Sequence, residues 1–170
     1  MTAGSGDDAA RLARIVAAEF RRRLLEEQLP RLRRCVDLLG DRRVWERPAP
    51  HCNSVGNLLL HLCGNTTQWI LATFGAVADA RDRPAEFAAT EGATGTELIG
   101  RLEAVFVAAC ACVDRLAVDE LLRERTVQRR YRETGLSAVL HVLEHCAGHA
   151  YQVYAETKRA TGQDLKFYDL

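Results

Sequence analysis

The C-terminal part of the chain carries three of its five histidines at intervals of four residues, on a segment that is otherwise largely apolar. Four residues are about one turn of an α-helix, so His145 and His149 project from one face and His141 lies one turn earlier on the same side. Because buried imidazoles need polar partners, this spacing indicates either a metal site that a ligand from elsewhere completes, or histidines that are satisfied individually in the core or at the surface.

A second apolar helix is predicted from an N-cap at Asn53 or Ser54 to about Phe74, and it carries a polar residue at every fourth position. The polar row consists of Asn53, Asn57, His61 and Asn65. An apolar helix accommodates such a stripe only when the polar groups find partners. Either the asparagines cap the helix and bond to loops, with His61 joining them, or the row lines a buried polar site.

The first helix is predicted over residues 8–39, where leucine, isoleucine, valine and phenylalanine recur with helical spacing. Pro30 should kink or break it near Leu29, because proline cannot donate the helical hydrogen bond. Gly40 and Asp41 should end it, and a disordered tail is expected over residues 1–7.

Two further helices complete the pattern. Thr94 and Glu97 form a capping box for a third helix that reaches about Leu116. The fourth helix begins after Thr134 and stops at Gly162. Long connections join these helices, one over 75–93 and an irregular or partly extended one over 119–133. The fold class is therefore all-α, a four-helix bundle with long connections that forms one domain over residues 8–170.

Charge and hydropathy exclude several classes of partner. The chain has 170 residues, with 23 basic and 23 acidic side chains, so it lacks the basic surplus of a nucleic-acid or anionic-membrane binder. No stretch approaches the roughly 20 apolar residues of a membrane span. The first residues lack the charged and apolar regions of a signal peptide, which indicates a cytoplasmic location.

The six cysteines form no Cys-x-x-Cys pair, so they are expected to be reduced and to fill the core. Cys63 lies about 200° around the helix from His61, and Cys146 about 100° from His145, so both thiols should point away from the histidines.

Three motifs together resemble the DinB/YfiT-like superfamily of metalloenzymes. They are the run Asn57-x-x-x-His61-Leu62-x-Gly64-Asn65, the run Asp82-Arg83-Pro84-Ala85-Glu86-Phe87, and the run His145-x-x-x-His149-x-x-Gln152. The Lys166-Phe167-Tyr168 ending is also similar. The resemblance covers the chain from about Trp45 onward and is strongest to a branch of the superfamily without an established reaction.

The resemblance implies a DinB-like four-helix bundle, commonly a homodimer, in which His61, His145 and His149 hold a divalent metal. Zinc is the first candidate, with nickel, iron and manganese as alternatives. Several branches transfer a low-molecular-weight thiol, such as mycothiol or bacillithiol, or use it to isomerise a substrate. Many members have glycine before the final glutamine of the motif, whereas this chain has Tyr151, which we expect to narrow the site mouth.

Three neutral imidazoles around a metal leave a fourth position open, which is typical of catalytic zinc sites. Without a carboxylate ligand the ion keeps its full charge, which lowers the pKa of a bound water or deprotonates a bound thiol. A metal-dependent transferase acting with a low-molecular-weight thiol is the first hypothesis. The alternatives are a hydrolase that uses metal-bound water and a non-catalytic, metal-stabilised protein that binds a small molecule.

Several polar residues around the predicted ligands can support such a site. Asn57, Asn65 and Gln152 are predicted to orient the ligands or the substrate. His141 is either a general base or a histidine of the core or its rim. The arginines at 81 and 83 either bind an anionic substrate or pair with neighbouring carboxylates.

Overall fold

A computed structural model describes residues 3–167 of the chain, so the predicted tail positions Met1 and Thr2 and the motif residue Tyr168 lie outside the described range. The elements are α1 (Ala3–Arg21), α2 (Leu29–Val44), α3 (Val55–Thr66), α4 (Arg83–Ala88), α5 (Gly95–Val113), α6 (Val118–Leu122), β1 (Glu124–Val127), β2 (Tyr131–Thr134) and α7 (Gly135–Thr161). Four long helical rods, made of α1 with α2, of α3, of α5 and of α7, confirm the all-α bundle.

The rod of α1 and α2 is continuous through a π-helical segment, Arg22–Gln28. Pro30 follows directly, and its ring crowds the carbonyl of Glu26 while offering no amide hydrogen to it. A widened turn accommodates this conflict, so the expected kink near Leu29 takes the form of a local change of helix type. At the far end, Gly40 has a φ of 67° and breaks the regular helix where the sequence predicts its end.

Helix α1 begins at Ala3, so residues 3–7, which the sequence assigns to a disordered tail, continue the helix. Once the packed part of α1 exists, each further residue adds a backbone hydrogen bond without a new nucleation cost.

The predicted caps of the other long helices are present. The Ser54 side chain accepts from the Asn57 amide in a capping box, and Thr94 and Glu97 form the second box. Thr134 caps α7, and Gly162 ends it with a φ of 68°. These local signals fix where α3 and α7 start, and hence which of their side chains face each other.

The charged link before α7 is more ordered than the sequence predicts. After α6, strands β1 and β2 form an antiparallel hairpin that pairs Glu124 with Thr134 and Val127 with Tyr131. Gln128 and Arg129 close the turn with φ values of 54° and 56°. Non-glycine residues rarely adopt that conformation, so the sequence lacks the Asn-Gly type of signal by which a hairpin is usually recognised.

The described buried apolar side chains form one cluster shared by the long helices. Helix α3 packs between α5 and α7, and it brings buried polar residues (Asn57, His61 and Asn65) into this interior. No described helix is long and apolar enough to cross a membrane. Within this stripe His61 and Asn65 face the histidine-bearing face of α7, whereas Asn57 faces the segment of α4.

Candidate metal centre

The three histidines predicted as ligands converge between α3 and α7. One ring nitrogen from each of His61, His145 and His149 lies within 4.8 Å of the other two. The Nε2 atoms of His61 and His145 are 2.9 Å apart. Nitrogen ligands about 2.0–2.1 Å from a tetrahedral zinc lie roughly 3.4 Å from each other. The separations in the cluster bracket this value, so the three nitrogens are close enough together to hold a small divalent ion.

Among residues 3–167 this is the one group of three or more potential ligands that converge. It contains only imidazoles, which suit zinc, nickel, iron and copper more than magnesium or calcium.

Glu86, to which the sequence alone assigns no role, contacts the ring nitrogen of His61 that is turned away from the other two histidines. Its Oε2 lies 2.8 Å from His61 Nδ1. Arg81 Nη2 lies 3.0 Å from the same Nδ1, but the shorter contact is with the carboxylate, which can only accept. We therefore assign the proton to Nδ1, which leaves the lone pair of Nε2 directed toward the cluster. Arg81 in turn donates to both carboxylate oxygens, at 2.7 and 2.8 Å, and donates to Gln68.

This ion pair is largely buried, since the side chains of Arg81 and Glu86 are 6% and 10% exposed. Burial raises the pKa of the Glu86 carboxyl, but hydrogen bonds from Arg81 and His61 outweigh burial and lower that pKa below its ordinary value. The carboxylate is therefore charged at neutral pH, as its role as an acceptor requires.

Gly64 makes room for this arrangement. A Cβ at Gly64 would collide with the Glu86 carboxylate and approach the Arg81 guanidinium. The glycine of the His-Leu-x-Gly-Asn motif is thus the sequence signal that could have indicated a side chain packed against α3 beside His61.

Asn57 positions the segment that carries Glu86. Its side chain accepts from the Ser54 amide and donates to the backbone carbonyls of Glu86 and Ala89, at 2.9 and 2.7 Å. Asn57 therefore acts on α4 and on the start of α3, and its contacts are with backbone and Ser54 rather than with the ring nitrogens.

Gln152 lies beside the third ligand, with its Oε1 atom 3.1 Å from His149 Nδ1. An acceptor there keeps the proton on Nδ1 and leaves Nε2 of His149 free. Tyr151 is 60% exposed and packs edge-on against Tyr154. It does not line the clefts described below, so its side chain does not narrow their mouths as the sequence led us to expect.

His141 lies at the edge of the cluster. Its ring stacks on Trp69, with ring centroids 3.6 Å apart, and on His145 at 5.2 Å. The Nδ2 atom of Asn65 is 3.3 Å from His141 Nε2. Asn65 thus contacts His141, and His141 faces the ligands without joining the convergent group.

His141, His145 and His149 of α7 are neutral in this setting. Burial, followed by the neighbouring histidines and Arg81, lowers the pKa of His145 to about 3. Burial also lowers the pKa values of His149 and His141. Neutral rings have free lone pairs, so a metal need not displace protons from His145 and His149 at neutral pH.

Two clefts reach the cluster, and both contact His141 and His145. The hairpin cleft, of about 500 Å³, is lined by His61, Asn65, Trp69, Arg81, Arg83, Gln128, Tyr131, Glu133, His141 and His145. The α7 cleft, of about 450 Å³, is lined by His141, Glu144, His145, Gly148, His149 and Gln152. A larger groove of about 840 Å³ between α1 and the segment after α5 has no histidine or cysteine in its lining, so size alone does not mark the site.

The first prediction concerns metal content. Replacing His61, His145 or His149 with alanine should lower bound zinc to well below one ion per chain, because two imidazoles hold the ion much less tightly than three. His51→Ala is the matched control, since His51 is exposed and outside the cluster. Elemental analysis of the purified variants measures the effect. Full zinc content in all three cluster variants would rule the site out.

The second prediction concerns Glu86. Glu86→Ala should weaken zinc binding about 10- to 100-fold, because His61 loses the acceptor that fixes its proton on Nδ1. Glu86→Gln should weaken zinc binding less than Glu86→Ala does, since an amide oxygen can still accept from His61 Nδ1. Competition with a chelating dye measures the affinity, and Glu103→Ala, an exposed carboxylate paired with Arg33, is the control. Equal affinity in wild type and Glu86→Ala would remove Glu86 from the site.

Comparison with known proteins agrees with this geometry. The family model described as mycothiol-S-transferase matches residues 22–153. The crystal structure of a DinB-like protein from Bacillus cereus has a TM-score of 0.63 and 14% sequence identity, covering 82% of this chain and 89% of that chain. At 14% sequence identity, this structural likeness shows a shared fold alone. Comparison with curated proteins gives no match.

The family match spans more than half of the chain and includes the three convergent histidines. The solved DinB-like structure shares the bundle, and the family match confirms the superfamily resemblance stated from the motifs. The chain belongs to the mycothiol-S-transferase family of DinB-like proteins.

Proposed function

We propose that the protein is a metal-dependent S-transferase that joins a low-molecular-weight thiol, such as mycothiol, to an electrophilic small molecule in the cytoplasm. The observation that carries the proposal is an all-imidazole cluster reached by two clefts. The clefts meet at His141 and His145, so a thiol and an electrophile can each occupy one cleft and reach the same centre.

His61, His145 and His149 would hold the ion, with zinc as the first candidate. A divalent ion held by neutral imidazoles keeps its full charge and lowers the pKa of a thiol that binds beside it. Glu86 and Gln152 keep the ligand nitrogens directed inward. His141, neutral because burial lowers its pKa, can accept the proton that the thiol releases.

The two cysteines nearest to the ligands in sequence, Cys63 and Cys146, are unsuited to supply the thiol, which we therefore assign to an external molecule. Burial raises the pKa of Cys63 and of Cys146 to about 12 in each case, so neither supplies a thiolate at neutral pH. Cys146 is also 1% exposed and is inaccessible to a substrate.

We also propose that the chain forms a homodimer, as the superfamily resemblance implies. Large apolar side chains at Leu12 and Ile15 of α1 are about half exposed, which is compatible with a partner surface. Light scattering at micromolar concentration should give twice the chain mass of 18.9 kDa. A monomeric mass throughout that range would refute the dimer.

The transfer reaction itself can be tested with the zinc-loaded protein, mycothiol and 1-chloro-2,4-dinitrobenzene. The absorbance of the thioether should rise faster than in the uncatalysed reaction, and His149→Ala should lower this excess rate at least 10-fold. The control variant His51→Ala should keep the excess rate of the wild type. If mycothiol, bacillithiol, glutathione and cysteine all fail while 4-nitrophenyl acetate is hydrolysed in a His149-dependent manner, the hydrolase hypothesis replaces transfer.

A further inference from the structure

The two arginines of the hairpin cleft have different partners. Arg81 is buried and its charge is balanced by Glu86. Arg83 is exposed, and its guanidinium lies over the Phe87 ring at 4.9 Å from the centroid. Within residues 3–167 no carboxylate forms an ion pair with Arg83. The cleft therefore contains one arginine whose hydrogen-bond donors remain available to a ligand.

Arg83 is held close to the metal-ligand cluster. Phe87, on which its guanidinium rests, also packs against His61, with ring centroids 4.7 Å apart. A cation over an aromatic face is stabilised there while its edge donors stay accessible. Helix α4 is fixed by the bonds from Asn57 to the carbonyls of Glu86 and of Ala89, the residue that follows the helix, so Arg83 lies on an anchored segment.

The rest of the cleft wall is aromatic and amide in character. Trp69 and Tyr131 lie nearly parallel, with ring centroids 6.3 Å apart, and Gln128 adds an amide from the turn of the hairpin. Glu133 is the one carboxylate in this lining, and it already accepts a hydrogen bond from Ser137 Oγ at 2.5 Å. Such walls suit a flat molecule with an anionic group at one end.

We propose that Arg83 recognises a carboxylate on the electrophilic acceptor, so that the preferred acceptors of this protein are flat, conjugated or aromatic acids. This inference rests on the proposed transfer function and assigns the acceptor to the hairpin cleft. The thiol then occupies the α7 cleft, which contains no arginine or lysine and offers Glu144 and Gln152. Carboxylate and amide groups are suited to binding the hydroxyl groups of a polyhydroxylated thiol.

A matched pair of acceptors tests the assignment. The pair is 4-chloro-3-nitrobenzoate and 4-chloro-3-nitrobenzamide, which differ in charge and little in shape. With either acceptor the thiol sulfur forms a bond to the ring carbon that carries chlorine. The carbon–chlorine bond then breaks, chloride leaves with the electron pair, and the thiol proton passes to His141 or to water. Each rate is divided by its uncatalysed rate, which removes the difference in intrinsic reactivity.

The zinc-loaded wild type with mycothiol should favour the acid, and Arg83→Ala should lower the acid-over-amide ratio of kcat/KM by about 10-fold or more. Arg83→Lys should lower the ratio less, because it keeps the charge. Arg14→Ala, which removes an arginine from the separate α1 groove, should keep the wild-type ratio. An unchanged ratio in Arg83→Ala would overturn the proposal.

A binding measurement separates this inference from the transfer function. Calorimetry with the unreactive pair 3-nitrobenzoate and 3-nitrobenzamide on the zinc-loaded protein requires no turnover. The acid should bind wild type at least 10-fold more tightly than Arg83→Ala. If the acid binds in an Arg83-dependent manner but no thiol is transferred, the proposed transfer function is overturned and the proposed recognition site stands. If wild type and Arg83→Ala bind 3-nitrobenzoate equally tightly, the proposed role of Arg83 is overturned, whether or not the protein transfers a thiol.

Discussion

The structure depends on the burial of imidazole rings between two otherwise apolar helices. His61 is 3% exposed, and its ring nitrogens would carry a desolvation cost if they had no partners. One nitrogen donates to Glu86 and the other faces His145 at 2.9 Å. The need to satisfy this ring explains the buried Arg81–Glu86 pair and the glycine at 64. It also explains the asparagine that ties α4 to α3.

Local signals in the sequence were sufficient to predict the long helices of the bundle. The caps at Ser54, Thr94 and Thr134 place the starts of α3, α5 and α7, and the spacing of His145 and His149 follows from the helix repeat. These features are encoded within a few residues of each other. The local patterns therefore predicted the bundle and the His145–His149 pair, whereas the resemblance to the DinB/YfiT-like motifs implied that His61 joins them.

Contacts between distant segments were much harder to predict. The carboxylate at 86 is 25 residues from His61, in a connection whose path no local pattern determines. The hairpin before α7 uses Gln128 and Arg129 at positive φ, where most sequences would have glycine or asparagine. For the arginines at 81 and 83, the sequence left ion pairing and anion binding open. The structure shows that Arg81 is paired, whereas Arg83 faces the cleft.

The central claim is that three histidines hold a metal with a position open to an external thiol. X-ray absorption at the zinc edge tests this most directly, by comparing the zinc-loaded protein before and after addition of mycothiol. We predict nitrogen or oxygen neighbours alone at first, and one sulfur neighbour at about 2.3 Å once the thiol is added. A sulfur neighbour before addition, or an unchanged nitrogen and oxygen shell at saturating thiol, would contradict the account.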